Sequence, residues 1–154
     1  MPAAIHTGFG QPRTAYDPSY PQFRAALGNP LYLEDALVRH PKLRAYLMHA
    51  GWPFLAETKA IMQLYPDVYA DLASFAVNPG IPREEFYGYL QDLLRAGFGK
   101  RLMFGSALST EDWAQDIGDV VKLIAEAPFL TAEQKDDIFY GNAARFLGLG
   151  LPPP

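Results

Sequence analysis

A chain of 154 residues that is 49% hydrophobic and 14% aromatic has enough apolar surface to bury one real core, which excludes a disordered chain. The formal net charge of −4 argues against a general nucleic-acid binder, and the lack of any cysteine excludes disulfide scaffolds and thiolate metal sites. No stretch approaches the roughly 20 apolar residues that span a bilayer, and Met1–Gly10 has neither a basic start nor a long apolar run. The expectation is one cytoplasmic domain over residues 1–154, with no nucleic-acid and no membrane partner.

In chain order, Pro2–Gly8 is a short apolar run ended by glycine and reads as a buried strand. Residues 9–29 form a long segment rich in Pro, Gly and aromatics, including Tyr16, Tyr20 and Phe23. A loop of that length in a compact domain is either functional or a cover over the core. Asn29-Pro30 opens a helix, since Asn caps and Pro suits the first turn; Leu33, Ala36 and Leu37 form its apolar face and His40-Pro41 stops it.

Leu43–Met48 reads as a second strand, closed by His49-Ala50-Gly51-Trp52-Pro53. A helix follows with Leu55, Ile61, Met62 and Leu64 as its apolar positions. Val68–Leu72 is a third strand. After a Pro/Gly loop, a helix from Pro82 repeats Phe86, Tyr89, Leu90, Leu93 and Leu94 at helical spacing and ends at Gly97 and Gly99. Arg101–Gly105 is a fourth strand. Of two final helices, one presents Trp113, Ile117, Val120, Val121 and Ile124. The other starts with a capping box, Thr131 and Gln134, carries Ile138, Phe139, Ala143 and Phe146 inward, and runs out into a Pro-rich tail at 150–154. The alternation predicts an α/β fold of parallel strands with helical crossovers.

In such folds active-site groups sit at the carboxyl ends of strands. His6 ends the first strand, His49 the second, Asp71 lies near the end of the third, and Ser106 and Ala107 end the fourth. A strand-end histidine offers a neutral imidazole to a divalent metal or acts as a general base. The bland alternative is a pair of histidines satisfied by backbone groups. Asp71 is expected to cap the following turn, and Trp52 with Pro53 to wall a substrate pocket or simply to pack. Glu84, Glu85, Asp112, Asp116, Asp119, Asp136 and Asp137 read as solvated helix faces. A flavodoxin-like binder also fits the alternation but lacks a glycine-rich loop after its first strand.

The runs Ala4-Ile5-His6-Thr7-Gly8, Gly28-Asn29-Pro30-Leu31, His49-Ala50-Gly51-Trp52-Pro53-Phe54, Val68-Tyr69-Ala70-Asp71, Arg101–Ser106 and Asn142–Leu147 resemble, in order, the second half of amidohydrolase-related proteins. This is the branch that includes aminocarboxymuconate-semialdehyde decarboxylase. The resemblance implies strands five to eight of a (β/α)₈ barrel with one divalent metal, commonly zinc. It implies His6 as a metal ligand and His49 as the catalytic histidine of a His-Ala-Gly motif. Two departures stand out. The first-strand His-x-His pair of the family is absent, and the Gly-Ser-Asp aspartate is replaced in Gly105-Ser106-Ala107.

A full barrel takes about 250 residues. Four parallel strands alone would leave two bare edges and an uncovered inner face. The expected remedies are a symmetric homodimer, a separately encoded N-terminal half, or a flattened sheet covered by the long loop. Two functional expectations follow. One is a metal-dependent hydrolase or decarboxylase of a small carboxylated or cyclic substrate that needs further ligands. The other is a non-catalytic half-barrel subunit or interaction module, and the missing aspartate and first half favour it for the chain in isolation.

Overall fold

The computed structural model describes residues 1–10, 13–73, 81–106 and 113–150, with the side chains of 113–116 excepted. The expectations placed on Ala107, Asp112, Asp116, the Trp113 side chain and the last four tail residues fall outside them. Four strands, β1 (Ala3–Ile5), β2 (Ala45–Leu47), β3 (Val68–Asp71) and β4 (Leu102–Met103), form one sheet in the order of the sequence. All three pairings are parallel, with Ala3 opposite Ala45, Ala45 opposite Val68, and Ala70 opposite Leu102.

The crossovers are α1 (Glu34–Arg39), α2 (Leu55–Leu64) and α3 (Arg83–Arg95). After β4 come α4 (Trp113–Ala125), α5 (Ala132–Asp136) and α6 (Asn142–Leu147). Asn29 does cap as expected, its side chain accepting from Leu31 N at 2.9 Å, but what it starts is a tight 3₁₀ turn, Pro30–Leu33, that feeds α1. The Thr131–Gln134 capping box is present in both directions.

One face of the sheet carries Ala45, Leu47, Val68, Ala70 and Leu102, all fully buried. Of these, Leu47, Val68, Ala70 and Leu102 share a single cluster with Leu37, Ile61, Met62, Phe86, Leu90, Leu93, Val120 and Ile124 from the helices. The opposite face carries Ala4, Tyr46 and Tyr69 in register. Phe146 of α6 packs on that face, its ring centroid 5.6 Å from Tyr46 and 5.0 Å from Tyr69.

The last helix is interrupted. Between α5 and α6, Asp137–Gly141 forms one π turn, which inserts a residue and advances the inward phase. Hence Ala144 and Asn142 are buried where Ala143 was expected, and Ala143 is only half-buried. The same turn buries Asp137, so the solvated reading of that residue is corrected: its carboxylate meets Lys100 at 2.6 Å and Arg145 at 2.5 Å. Leu64 and Val121, expected to face the core, are exposed because the buried stripes run through Ile61–Met62 and Val120–Ile124.

The 9–29 segment is irregular, with short 3₁₀ turns at Thr14–Tyr16 and Ala25–Gly28. Its neck closes where Gly8 N donates to Gly28 O at 2.7 Å. The approach needs both glycines: a Cβ on Gly28 would lie 1.9 Å from Gly8 O, and one on Gly8 would lie 2.3 Å from Trp52 O. Among the described residues no helix is long and apolar enough to cross a membrane.

Candidate functional site

The carboxyl ends of the strands bring three of the candidate residues together. His6 follows β1 and remains exposed, His49 follows β2 and is buried, and Asp71 closes β3 and is buried. His6 and His49 meet through their Nε2 atoms at 3.2 Å, with ring planes at 76°. His49 Nδ1 lies 2.8 Å from the carbonyl oxygen of Ala73. A carbonyl only accepts, so Nδ1 carries the proton, and in the neutral ring the lone pair of Nε2 points at His6.

Among the described residues Asp71 accepts its hydrogen bonds at one oxygen. Its Oδ1 accepts from His49 N at 2.9 Å and from Ala73 N at 3.0 Å. It thereby caps the turn after β3 and also fixes the start of the turn that carries His49. Burial pushes the Asp71 carboxyl above its ordinary range, while the two amides and the neighbouring histidines pull it back. Partial burial, then repulsion from His49, lowers the His6 imidazole below its ordinary value, with Asp71 opposing.

The backbone that presents His49 is unusual. His49 (φ 59°), Ala50 (φ 47°) and Gly51 (φ 70°) are all left-handed, one after another. Such a conformation costs about 1–2 kcal/mol per non-glycine residue, so the surroundings must over-determine it. They do. Trp52 N closes the turn on His49 O at 2.9 Å, and Phe54 N bonds Gly51 O at 2.8 Å. Thr7 Oγ1 donates to Met48 O at 2.6 Å, and Tyr89 and Thr58 donate to Ala50 O.

Beside Asp71 a cavity of about 310 Å³ opens on the inner face of the sheet. Tyr46, Met48, Met103, Phe104 and Phe146 make its apolar wall, and Ser106 shares its rim with Asp71. Among the described residues no lysine or arginine lines it. Trp52 does not line it. That residue stands beyond His49, in edge contact with Phe9, which in turn packs on His49, and its indole N–H donates to Glu85 at 2.9 Å. Sequence reasoning missed Thr7, Thr58 and Tyr89. The available signal was a tyrosine inside an apolar helical stripe, whose hydroxyl must find a partner once buried.

His6 Nε2 is a nitrogen donor of the kind a divalent metal takes, and its 3.2 Å contact with His49 Nε2 is that of a hydrogen bond between the rings. Yet among the described residues no group of three or more histidines and carboxylates converges as a metal site.

Four parallel strands with helical crossovers and a histidine pair at their carboxyl ends are half of a TIM-type barrel and its rim. The chain belongs to the amidohydrolase family, whose pattern matches residues 1–149. It is similar to an amidohydrolase of Burkholderia multivorans solved with bound zinc, 22% identical, covering 79% of this chain and 50% of that one with a TM-score of 0.62. It is similar to a TIM-barrel protein of Bordetella bronchiseptica, 19% identical over 96% of this chain and 46% of that one, TM-score 0.66. The 5-carboxyvanillate decarboxylase of Sphingomonas paucimobilis matches at 15% identity over 97% of this chain and 50% of that one, TM-score 0.60. In sequence, protein fluG of Emericella nidulans is 25% identical over 105 residues, 68% of this chain and 11% of that protein. The chain therefore spans about half the length of the solved barrels and a small part of the curated relative.

Proposed function

We propose that this chain supplies half of a divalent-metal site for hydrolysis or decarboxylation of a small carboxylated or cyclic substrate. The remaining ligands come from outside residues 1–154, from the first half of the barrel or from a second copy. The observation that carries this is the His6–His49 contact at the strand ends, with His49 locked by Ala73 O into the tautomer that offers Nε2.

In this reading His6 would hold zinc or a similar ion through Nε2, and a bound ion would polarise a water or a substrate oxygen. His49 takes or returns a proton at Nε2, while its Nδ1–H keeps donating to Ala73 O. Asp71 holds the His49 amide and keeps the ring in place. The apolar wall of Tyr46, Phe104 and Phe146 excludes water around a ring-sized substrate, and Ser106 offers a hydroxyl at its rim.

One observation favours a second reading, a non-catalytic half-barrel that serves as a subunit or interaction module. Ala107 stands where the family's aspartate would be, and a methyl group neither binds metal nor moves a proton. Native mass spectrometry with and without added zinc separates the two readings. One tightly held zinc per site in an assembled species supports the catalytic one, and Ala107→Asp should then raise zinc affinity by about tenfold or more. A metal-free species at saturating zinc, with Ala107→Asp equally inert, rejects it.

A further inference from the structure

The peptide between Ala50 and Gly51 points its carbonyl away from the histidines and into the helix layer. Two side chains meet it there. The Tyr89 hydroxyl, from α3, donates at 2.8 Å, and the Thr58 hydroxyl, from α2, donates at 3.1 Å. Both residues are buried. Phenylalanine and valine would fill the same space without a hydroxyl, so packing alone does not account for these residue types.

The geometry points to Tyr89 and Thr58 as positioning residues for His49: their hydroxyls hold the Ala50 carbonyl, and with it the left-handed turn that aims the His49 ring at His6. Three consecutive left-handed residues have no intrinsic reason to persist, since two of them carry a Cβ. Asp71 holds the entry to the turn and Trp52 N–H closes it, but neither reaches the middle peptide. The two helices do. Thr58 sits four residues after Phe54, where its hydroxyl could bond back along its own helix. Only its backbone N takes Phe54 O, at 2.9 Å, and the hydroxyl turns to Ala50. Gly51 makes the room, because a Cβ there would lie 2.2 Å from Thr58 Oγ1. Helices α2 and α3, which touch no reacting group, thus set the direction of the proposed proton carrier.

The value of this for catalysis rests on the proposed metal site; the positioning itself does not. The test is nuclear magnetic resonance on the full chain without metal, followed by titration with zinc alone. The parent should show a strong amide-to-α-proton contact within His49 and within Ala50, the signature of positive φ, and a ring-to-ring contact between His6 and His49. In Tyr89→Phe/Thr58→Val, with cooperative unfolding retained, these contacts should fade. Single variants cover the case in which the double variant does not fold: Thr58→Ser should keep the contacts and Thr58→Val should weaken them. Unchanged contacts in folded Tyr89→Phe and Thr58→Val overturn the proposal. Contacts present in a parent that binds no zinc would leave the positioning standing and remove the metal reading.

Discussion

The amide of Phe104 donates to the carbonyl of Ile138 at 2.7 Å, across the outer edge of β4. Leu102, two residues earlier, points its carbonyl to the same side and receives the Asn142 side chain at 2.6 Å. The π turn and the start of α6 thus occupy the hydrogen-bonding positions that another strand would use. A barrel closed along β4, by a second copy or by an N-terminal half, must first release these two bonds.

Asn142 is where that seal can be broken. It is fully buried, donates to Gly99 O at 2.9 Å and to Leu102 O, and accepts from Arg145. Asn142→Ala removes both of these bonds, one of them to the buried Leu102 carbonyl, and should cost about 1–3 kcal/mol in urea unfolding. It should also raise self-association in sedimentation, because a bare strand edge invites pairing. An unchanged unfolding midpoint would mean that Ile138 holds the edge alone.

Phe146 is the cover of the inner face. It is 2% exposed and packs on Tyr46 and Tyr69. Phe146→Ala should cost about 3–5 kcal/mol by chemical denaturation and open the cavity beside Asp71. Phe146→Leu, which keeps most of the volume, should cost clearly less. Equal losses would show that the aromatic edges matter more than the filled volume.

Burial alone would raise the Asp137 carboxyl, but hydrogen bonds from Lys100 and Arg145 outweigh it and hold the folded value below the ordinary 3.8. A depressed carboxylate gives stability that is complete above 3.8 and fades as the pH falls through the folded value. The parent should therefore be more stable than Asp137→Asn at pH 6, with the difference shrinking below pH 3.8. A difference that does not change with acid would assign the effect to packing rather than charge.

The first three strands were legible because each is a short apolar run bracketed by Pro or Gly, and the rim histidines followed from them. What stayed hidden has no local mark. Arg101 looked like the start of β4 but lies in a 3₁₀ turn, its guanidinium turned back onto the carbonyls of Tyr65, Pro66 and Val68. The π turn has no residue signature, so the burial of Asp137 and Asn142 could not be phased. Positive φ is signalled by glycine, and of the three left-handed residues that aim His49 only Gly51 is one. Asp71 was expected to cap a turn, and it does; that it also grips His49 N depends on two strands lying side by side.

His6 gives the most direct test of the rim. Its imidazole is lowered from 6.5 by partial burial and by His49, so the folded chain prefers it neutral. Between 6.5 and the folded value the unfolded chain holds the extra proton, and stability must fall as acid is added across that window. The parent should lose thermal stability from pH 7.5 to pH 5, and His6→Gln should lose less. Zinc affinity should drop over the same range, since protons and metal compete for one Nε2. An equal acid slope in His6→Gln would place the titrating group elsewhere. A zinc affinity flat with pH would take His6 out of the metal site while leaving its contact with His49 intact.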